Sequence, residues 1–173
     1  STLGLCWAGF VMAYLEGVNK FNYDQKLFGV FELKNLAPAH PIIGELDDVF
    51  FCPQSRHAGI PDEAMEEAEN DGRLKLLAYG KEAGYSIFAT SDDRFIAHTG
   101  HPEYNATRLA DEAKRDHRNP DVPPPVNFDF MEPLNRWRSH RNTFFTQWVS
   151  YCYLKISTHD MSVKKDFLAS PED

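Results

Sequence analysis

Short apolar blocks alternate with polar ones along the chain, and their spacing predicts strands and helices in turn. Apolar runs predict strands over residues 1–6, 28–33, 48–52, 74–79, 85–90 and 94–98. Apolar positions at helical spacing predict helices over residues 8–17, 61–69, 107–116 and 142–156. Pro53 is expected to end the third strand, and residues 119–125 hold four prolines and predict a loop. The three successive strands between residues 74 and 98 predict a meander or an extension of a sheet.

The composition is that of a single globular domain. The chain has 173 residues, of which 42% are hydrophobic and 25% are charged, so it can bury a core without disulfides. Its 26 acidic residues against 18 Lys and Arg give a net charge of −8. We therefore expect neither nucleic acid nor a membrane as a partner, because phosphate groups need a basic face. No apolar run approaches the roughly 20 residues that span a bilayer.

The cysteines and histidines do not have the spacing of a metal site. Cys6, Cys52 and Cys152 are an odd number, which argues against a disulfide framework. A reducing, cytoplasmic location is the simplest expectation. The histidines are spaced unlike the ligands of any common zinc site, so we predict no metal. Cys52 and Cys152 are interpreted as thiols of the core.

The segment from Gly4 to Gly9 has the form of a nucleophile elbow. Small residues flank Cys6 between a predicted strand and a predicted helix, so that its side chain can point at a substrate. The backbone N–H of Trp7 is then free to bind an oxyanion. The N-terminus of the helix also favours the thiolate. On this segment alone, a buried structural cysteine is an equally good interpretation.

A second segment, Thr99 to Tyr104, directly follows the predicted strand 94–98. His101 with Glu103 two residues later can act as a general base and the carboxylate that orients it. Alone, this histidine would more often be an ordinary loop residue. Together with Cys6, the segment predicts a Cys-His-Glu catalytic set.

These two segments resemble the class I glutamine-amidotransferase-like folds, whose hallmarks are Gly-x-Cys-x-Ala/Gly and a later Gly-His-Pro-Glu. Further runs narrow the resemblance to the homoserine O-acyltransferases, often called homoserine O-succinyltransferases, of methionine biosynthesis. These runs lie at residues 1–8, 26–32, 47–50, 53–57, 99–104, 114–116, 125–128 and 137–140. The resemblance implies an α/β fold, a flavodoxin-like three-layer sandwich, of which this chain would be only the C-terminal part. Residues 1–156 would belong to that domain and residues 157–173 would be a frayed C-terminal tail.

The resemblance also implies roles for individual residues. Cys6 would accept a succinyl or acetyl group from acyl-CoA as a thioester. His101, supported by Glu103, would then activate the hydroxyl of L-homoserine, which gives ping-pong kinetics. Lys26, Ser55 and Arg115 fall where the family contacts its amino-acid substrate, and a guanidinium suits a carboxylate.

On the residues alone, Lys26, Ser55 and Arg115 would be interpreted as solvated or salt-bridged surface residues. The resemblance further implies that acyl-CoA is a co-substrate, that no cofactor is bound permanently, and that a homodimer is one arrangement open to the protein.

The chain departs from the family pattern in several places. Phe10 stands where the family commonly has Gln, Leu33 where it often has His, and Asn105 where it usually has Asp. Family members also carry a long segment before the cysteine strand, so we expect this chain to be one half of a larger protein. An N-terminal segment or a companion chain would complete it. Three alternatives stay open: a serine O-acetyltransferase, a glutamine amidotransferase-type hydrolase, and a non-catalytic half-domain.

Overall fold

The computed structural model describes the backbone of residues 1–168 and the side chains of residues 1–156. Within this part, six strands and four helices follow one another close to the predicted order. They are β1 (Thr2–Leu5), α1 (Trp7–Leu15), β2 (Phe21–Asn35), β3 (Val49–Gly59), α2 (Asp62–Asn70), β4 (Leu74–Gly80), β5 (Gly84–Thr90), β6 (Phe95–His98), α3 (Ala106–Asp116) and α4 (Arg138–Leu168).

The strands form one mixed sheet in the order β1-β6-β5-β4-β2-β3. Strands β4, β5 and β6 are antiparallel neighbours, which confirms the predicted meander. Strand β1 pairs with β6 in parallel, and this brings the carboxyl ends of both strands to the same edge of the sheet. The residues that follow β1 and β6 therefore lie side by side.

Helices cover both faces of the sheet. Phe88 of β5 and Ala97 of β6 are buried in one core cluster with α1 and α2. Ile87 and Ile96, one position earlier on the same strands, are buried in another cluster with Phe144 of α4. Successive side chains of a strand point to opposite faces, so this alternation produces two cores. The predicted three-layer α/β sandwich is confirmed.

The structure corrects the expected end of the third strand. Strand β3 continues through Pro53 to Gly59 and pairs with β2, in which Val30 lies opposite Pro53. A proline cannot donate to a strand ladder, but β3 is the last strand of the sheet. Edge strands tolerate proline because the missing N–H can face away from the neighbouring strand. Strand β2 is likewise longer than predicted, because it pairs with β3 from Phe21 to Lys34.

Strands β2 and β3 form a hairpin that joins the rest of the sheet over a short stretch. β2 pairs with β4 only at Lys34 and Asn35. Cys52 of β3 is buried in the same cluster as Ile87 and Ile96, so β3 packs near β5 and β6.

The last helix is longer than predicted. Helix α4 begins at Arg138 and runs to Leu168, through residues expected to be a frayed tail. Residues 169–173 of that tail lie outside the described part, and the division of the chain at residue 156 stays a prediction. Among the helices described, none has both the length and the apolar character needed to cross a bilayer.

Candidate active site

Cys6 lies on a tight bend between β1 and α1. Its φ of 49° is in the left-handed region, which is uncommon for a residue other than glycine. The bend is held by its own backbone, because the Cys6 N–H donates to the His98 carbonyl at 2.8 Å and the Cys6 carbonyl accepts from Gly9 at 3.0 Å. A Cβ at Gly4 would lie 3.1 Å from the Cβ of Ala8, so small residues here allow the strand and the helix to approach closely. This geometry is that of a nucleophile elbow.

Trp7 is the first residue of α1. The first N–H groups of a helix have no acceptor within the helix, and the helix dipole makes this end electropositive. The Trp7 N–H is therefore available to a negatively charged oxygen that develops next to Cys6.

His101 and Glu103 follow the end of β6. Nδ1 of His101 lies 2.6 Å from Oε1 of Glu103, and the Cys6 side chain is close enough to the same imidazole to raise its pKa. Because Glu103 holds Nδ1, Nε2 is the nitrogen left for Cys6. The ring also stacks on Tyr104 with a centroid distance of 4.2 Å. The structure thus brings Cys6 together with His101 and Glu103, which lie 95 and 97 residues later in the sequence.

Two opposing effects set the protonation of His101. Its side chain is 13% exposed, and this burial lowers the pKa of the imidazole. Hydrogen bonds to Cys6 and Glu103, together with the negative charges of both, outweigh burial and raise the pKa to about 9. The imidazole is therefore protonated at neutral pH and places a positive charge beside Cys6.

A buried arginine near Cys6 is a feature that the sequence did not reveal. The guanidinium of Arg56 donates to the carbonyls of Ala58 and Ala83 and, at 2.9 Å, to Oε1 of Gln54. Burial lowers the pKa of Arg56, while the charge of Cys6 acts in the opposite direction. Arg56 therefore adds a fixed positive charge to the surroundings of Cys6. Arg56 takes one of the buried, alternate positions of β3, but the sequence did not indicate this because the strand was expected to end at Pro53.

The turn before His101 lies tightly against β3. The backbone N–H of His101 donates to the carbonyl of Pro53 at 2.8 Å. A Cβ at Gly100 would lie 2.6 Å from Nε2 of Gln54 and 2.8 Å from the same Pro53 carbonyl. Only glycine allows this approach, so β3 and the turn together set the position of the imidazole.

Gly100→Ala is expected to lower both the thermal stability and the activity of the protein. The new methyl group would force the turn away from β3 at a cost of about 1–3 kcal/mol, and His101 would move with it. Thermal unfolding checks the stability, with Gly9→Ala as the matched control. A Cβ at Gly9 makes only ordinary contacts at 3.6 Å, so that control should keep its stability. Equal melting temperatures of the two variants would contradict the expectation.

Two of the predicted substrate-binding residues are joined by an acidic residue. Nζ of Lys26 lies 3.0 Å from Oδ2 of Asp116, and Arg115 donates to both oxygens of the same carboxylate at 2.6 and 2.8 Å. The hydrogen bonds of Arg115, with those of Lys26, hold the pKa of Asp116 well below its usual range. Two cations share this carboxylate, and a second carboxylate, that of Glu112, lies 3.6 Å from Arg115.

Tyr104 connects this cluster to His101. Its ring stacks on His101, and its hydroxyl lies 3.5 Å from Oε1 of Glu112. The same oxygen of Glu112 lies 3.6 Å from the guanidinium of Arg115.

Ser55 is half-buried on β3 opposite Phe28, and no hydrogen bond joins its hydroxyl to these groups in the described part of the chain. Over the same residues, no group of three His, Cys, Asp or Glu side chains could hold a metal ion.

Solved structures share the fold. A glutamine amidotransferase from Methylobacillus flagellatus superposes with a TM-score of 0.61 at 12% identity and covers 86% of this chain and 61% of that chain. A glutamine amidotransferase from Thermotoga maritima superposes with a TM-score of 0.52 at 14% identity, over 68% of this chain and 50% of that chain. At such low identity the likeness establishes the class I glutamine amidotransferase-like fold alone.

Sequence relatives establish the family. A homoserine O-acetyltransferase from Bacillus licheniformis is 34% identical over 158 residues, which are 87% of this chain and 51% of that protein. A homoserine O-succinyltransferase from Proteus mirabilis is 35% identical over 169 residues, which are 94% of this chain and 54% of that protein. The chain thus spans about half the length of these relatives. The family model described as homoserine O-succinyltransferase matches residues 1–158, so the chain belongs to that family.

Proposed function

We propose that this chain carries the catalytic residues of an enzyme that transfers an acyl group from acyl-CoA to the hydroxyl of L-homoserine. The observation that supports this most directly is the grouping of Cys6 with the hydrogen-bonded pair His101 and Glu103 at the ends of β1 and β6. The relatives include both O-acetyl- and O-succinyltransferases, so acetyl-CoA and succinyl-CoA are both candidate donors. Acyl-CoA would be a co-substrate, and no permanently bound cofactor is part of the proposal.

In the first step the Cys6 thiolate attacks the thioester carbonyl of acyl-CoA. The new C–S bond to Cys6 forms, the C–S bond to coenzyme A breaks, and the departing thiolate takes the proton of the His101 imidazolium. The Trp7 N–H stabilises the negatively charged oxygen of the tetrahedral intermediate. One thioester replaces another, so the step needs little driving force.

In the second step, the acylation of Cys6 changes the pKa of His101, the proposed base. The charge of Cys6 is one of the causes that raise the His101 pKa to about 9, and a thioester carries no such charge. Burial then acts against Glu103 alone, so the pKa of His101 falls, which favours the neutral ring that the first step leaves. The neutral imidazole takes the hydroxyl proton, the oxygen attacks the thioester, and Cys6 leaves as a thiolate beside the restored imidazolium.

The cluster around Asp116 is suited to the amino-acid acceptor. Lys26 and Arg115 would bind its carboxylate, since the guanidinium of Arg115 is 59% exposed and has donors beyond those that bind Asp116. Oε2 of Glu112 is buried and has no hydrogen-bond partner within the described side chains, and it would accept from the ammonium group. Ser55 on β3 would contact the rest of the acceptor chain.

Arg115→Gln is expected to raise the KM for homoserine by at least about tenfold with a smaller effect on kcat, because the amide lacks the charge and the forked donors of the guanidinium. Steady-state kinetics with saturating acyl-CoA measure the change. Arg118→Gln removes a similar charge from an exposed position three residues further along and is the matched control. An equal rise of KM in both variants would show that the loss of a positive charge, and not the loss of a contact between Arg115 and the acceptor, causes the effect.

A further part of the proposal is that the sheet is completed beyond β1. This strand is the last of the sheet on its side, and the neighbouring helix α1 exposes Trp7, Tyr14 and Leu15 by 62–75%. Val149 and Tyr153 of α4 are exposed as well. A strand-bearing segment or companion chain would pair with β1 and cover these apolar side chains. The three free cysteines fit a cytoplasmic location.

Intact-mass spectrometry of the full-length protein tests the proposed activity. The protein is incubated separately with acetyl-CoA, succinyl-CoA and glutamine, and peptide mapping identifies any modified cysteine. The expected result is an acyl adduct on Cys6 from one of the two CoA esters, discharged by homoserine. Discharge by serine alone would favour a serine O-acetyltransferase. An adduct from glutamine with release of ammonia would overturn the transferase in favour of an amidotransferase.

A further inference from the structure

We propose that His98 and Cys52, a buried pair that the reaction does not use directly, hold Cys6 and His101 in their relative positions. The proposal rests on the proposed function only in that Cys6 and His101 are the reacting pair. It assigns His98 and Cys52 as positioning residues on two different strands.

His98 is bonded to both catalytic segments. Its backbone carbonyl accepts the Cys6 N–H at 2.8 Å, which fixes the bend that carries the thiol. Nδ1 of its ring accepts the Gly100 N–H at 3.0 Å, immediately before His101. One residue at the end of β6 therefore holds the nucleophile through its main chain and the base through its side chain.

Cys52 connects this residue to β3. Nε2 of His98 lies 3.5 Å from Sγ of Cys52, and Sγ lies 3.4 Å from the carbonyl of Pro53. That carbonyl also accepts the His101 N–H at 2.8 Å. The turn that carries His101 is thus hydrogen-bonded to the His98 ring on one side and to the Pro53 carbonyl of β3 on the other. Cys52 contacts both of these groups.

The donors and acceptors around His98 and Cys52 can be assigned in only one consistent way. Since Nδ1 of His98 accepts from a backbone N–H, the ring proton is on Nε2 and donates to Cys52, whose S–H donates to the Pro53 carbonyl. Burial, aided by the charges of His101 and Arg56, lowers the pKa of His98 to about 3, so the ring stays neutral. Phe144 packs edge-on against it at 5.6 Å.

Cys52 is not a second nucleophile. It is 2% exposed, and burial, followed by the charge of Glu103, raises the pKa of its thiol well above the ordinary value. A thiol that is kept protonated away from solvent is unreactive. Its contribution is the hydrogen bond that it makes.

Two substitutions at Cys52 distinguish positioning from packing. Cys52→Ser keeps a group that accepts from His98 and donates to Pro53, whereas Cys52→Val fills the space without either bond. A packing role alone predicts that Val is the better replacement, because a buried hydroxyl costs more to desolvate. A positioning role predicts that Ser preserves the reactivity of Cys6 better than Val, whichever variant melts at the higher temperature.

The measured quantity is the rate at which iodoacetamide alkylates Cys6 in the full-length protein, followed by peptide mass spectrometry across a range of pH. This rate reports the contact between Cys6 and the His101 imidazolium and does not need acyl transfer. We expect Cys52→Val and His98→Leu to lower it at mildly acidic pH by about tenfold, because the imidazolium no longer lies in place beside the thiol. Cys52→Ser should stay within about twofold of the natural protein.

Phe144→Leu is the control, because it loosens the packing around His98 without removing a hydrogen bond. It should leave the alkylation profile of Cys6 unchanged. Equal profiles for Cys52→Ser and Cys52→Val, or a profile that follows melting temperature across all variants, would overturn the proposal. Failure of acyl transfer in the natural protein, with the alkylation differences intact, would instead reject the proposed function alone.

Discussion

Replacing Cys6 with alanine is expected to lower acyl transfer by at least about a thousandfold, because no other group can form the thioester. Cys52 is buried and its pKa is raised, so it cannot substitute for the missing thiol. The φ of 49° at Cys6 is less strained for alanine than for a larger side chain, so the elbow should keep its shape. Steady-state kinetics and intact-mass spectrometry measure the loss of turnover and of the acyl adduct together.

Cys152→Ser is the matched control for this experiment. Cys152 is the other partly exposed cysteine and lies on α4, where its Sγ is 3.7 Å from the Ser1 carbonyl. Its replacement should leave both turnover and the adduct intact. Near-normal turnover of Cys6→Ala would rule out the covalent mechanism. An adduct on Cys152 would show that acylation also occurs at a cysteine that takes no part in the reaction.

Replacing His101 with glutamine is expected to lower turnover by about a hundred- to ten-thousandfold. The amide cannot take the proton of the acceptor hydroxyl, so the discharge of the acyl-enzyme suffers more than its formation. The variant should therefore accumulate acylated Cys6 when homoserine is present, whereas the natural protein should not. Glu103→Gln should give a smaller loss, because it leaves the base in place and removes only its orienting carboxylate.

The His101→Gln variant should also differ from the natural protein in how its stability depends on pH. The pKa of His101 rises from 6.5 to about 9 on folding, against the effect of burial, through Cys6 and Glu103. The folded state binds this proton more tightly, so the contribution is complete below 6.5 and is lost as the pH rises through about 9. His101→Gln should remove this part of the slope in chemical denaturation. An unchanged slope between these pH values would contradict the raised pKa of His101.

The sequence predicted the parts of the site that depend on local chain geometry. A small-residue bend around Cys6 needs only the strand and the helix beside it, and His101 with Glu103 needs only two residues of separation. Their proximity in space follows from the parallel pairing of β1 with β6, which the periodicity of the chain does not indicate. Lys26 and Arg115 were assigned through the resemblance alone.

Features that depend on distant partners were not predictable. Asp116 joins Lys26 to Arg115 across 90 residues of sequence, and no local pattern indicates such a bridge. Arg56 stands in a strand that Pro53 was expected to end. That expectation was wrong because a proline is excluded from central strands but not from an edge, and strand order is a property of the whole fold.

The position of the nucleophile depends on a very short element. Strand β1 has four residues, and within the described chain its neighbour in the sheet is β6 alone. Segments with few contacts open locally at a lower free energy than the core, so the bend at Cys6 is exposed to such fraying even while β5 stays folded. A polypeptide that adds its own strand to the open side of β1 would suppress that opening. The binding of that strand and the correct placement of Cys6 would then be thermodynamically linked.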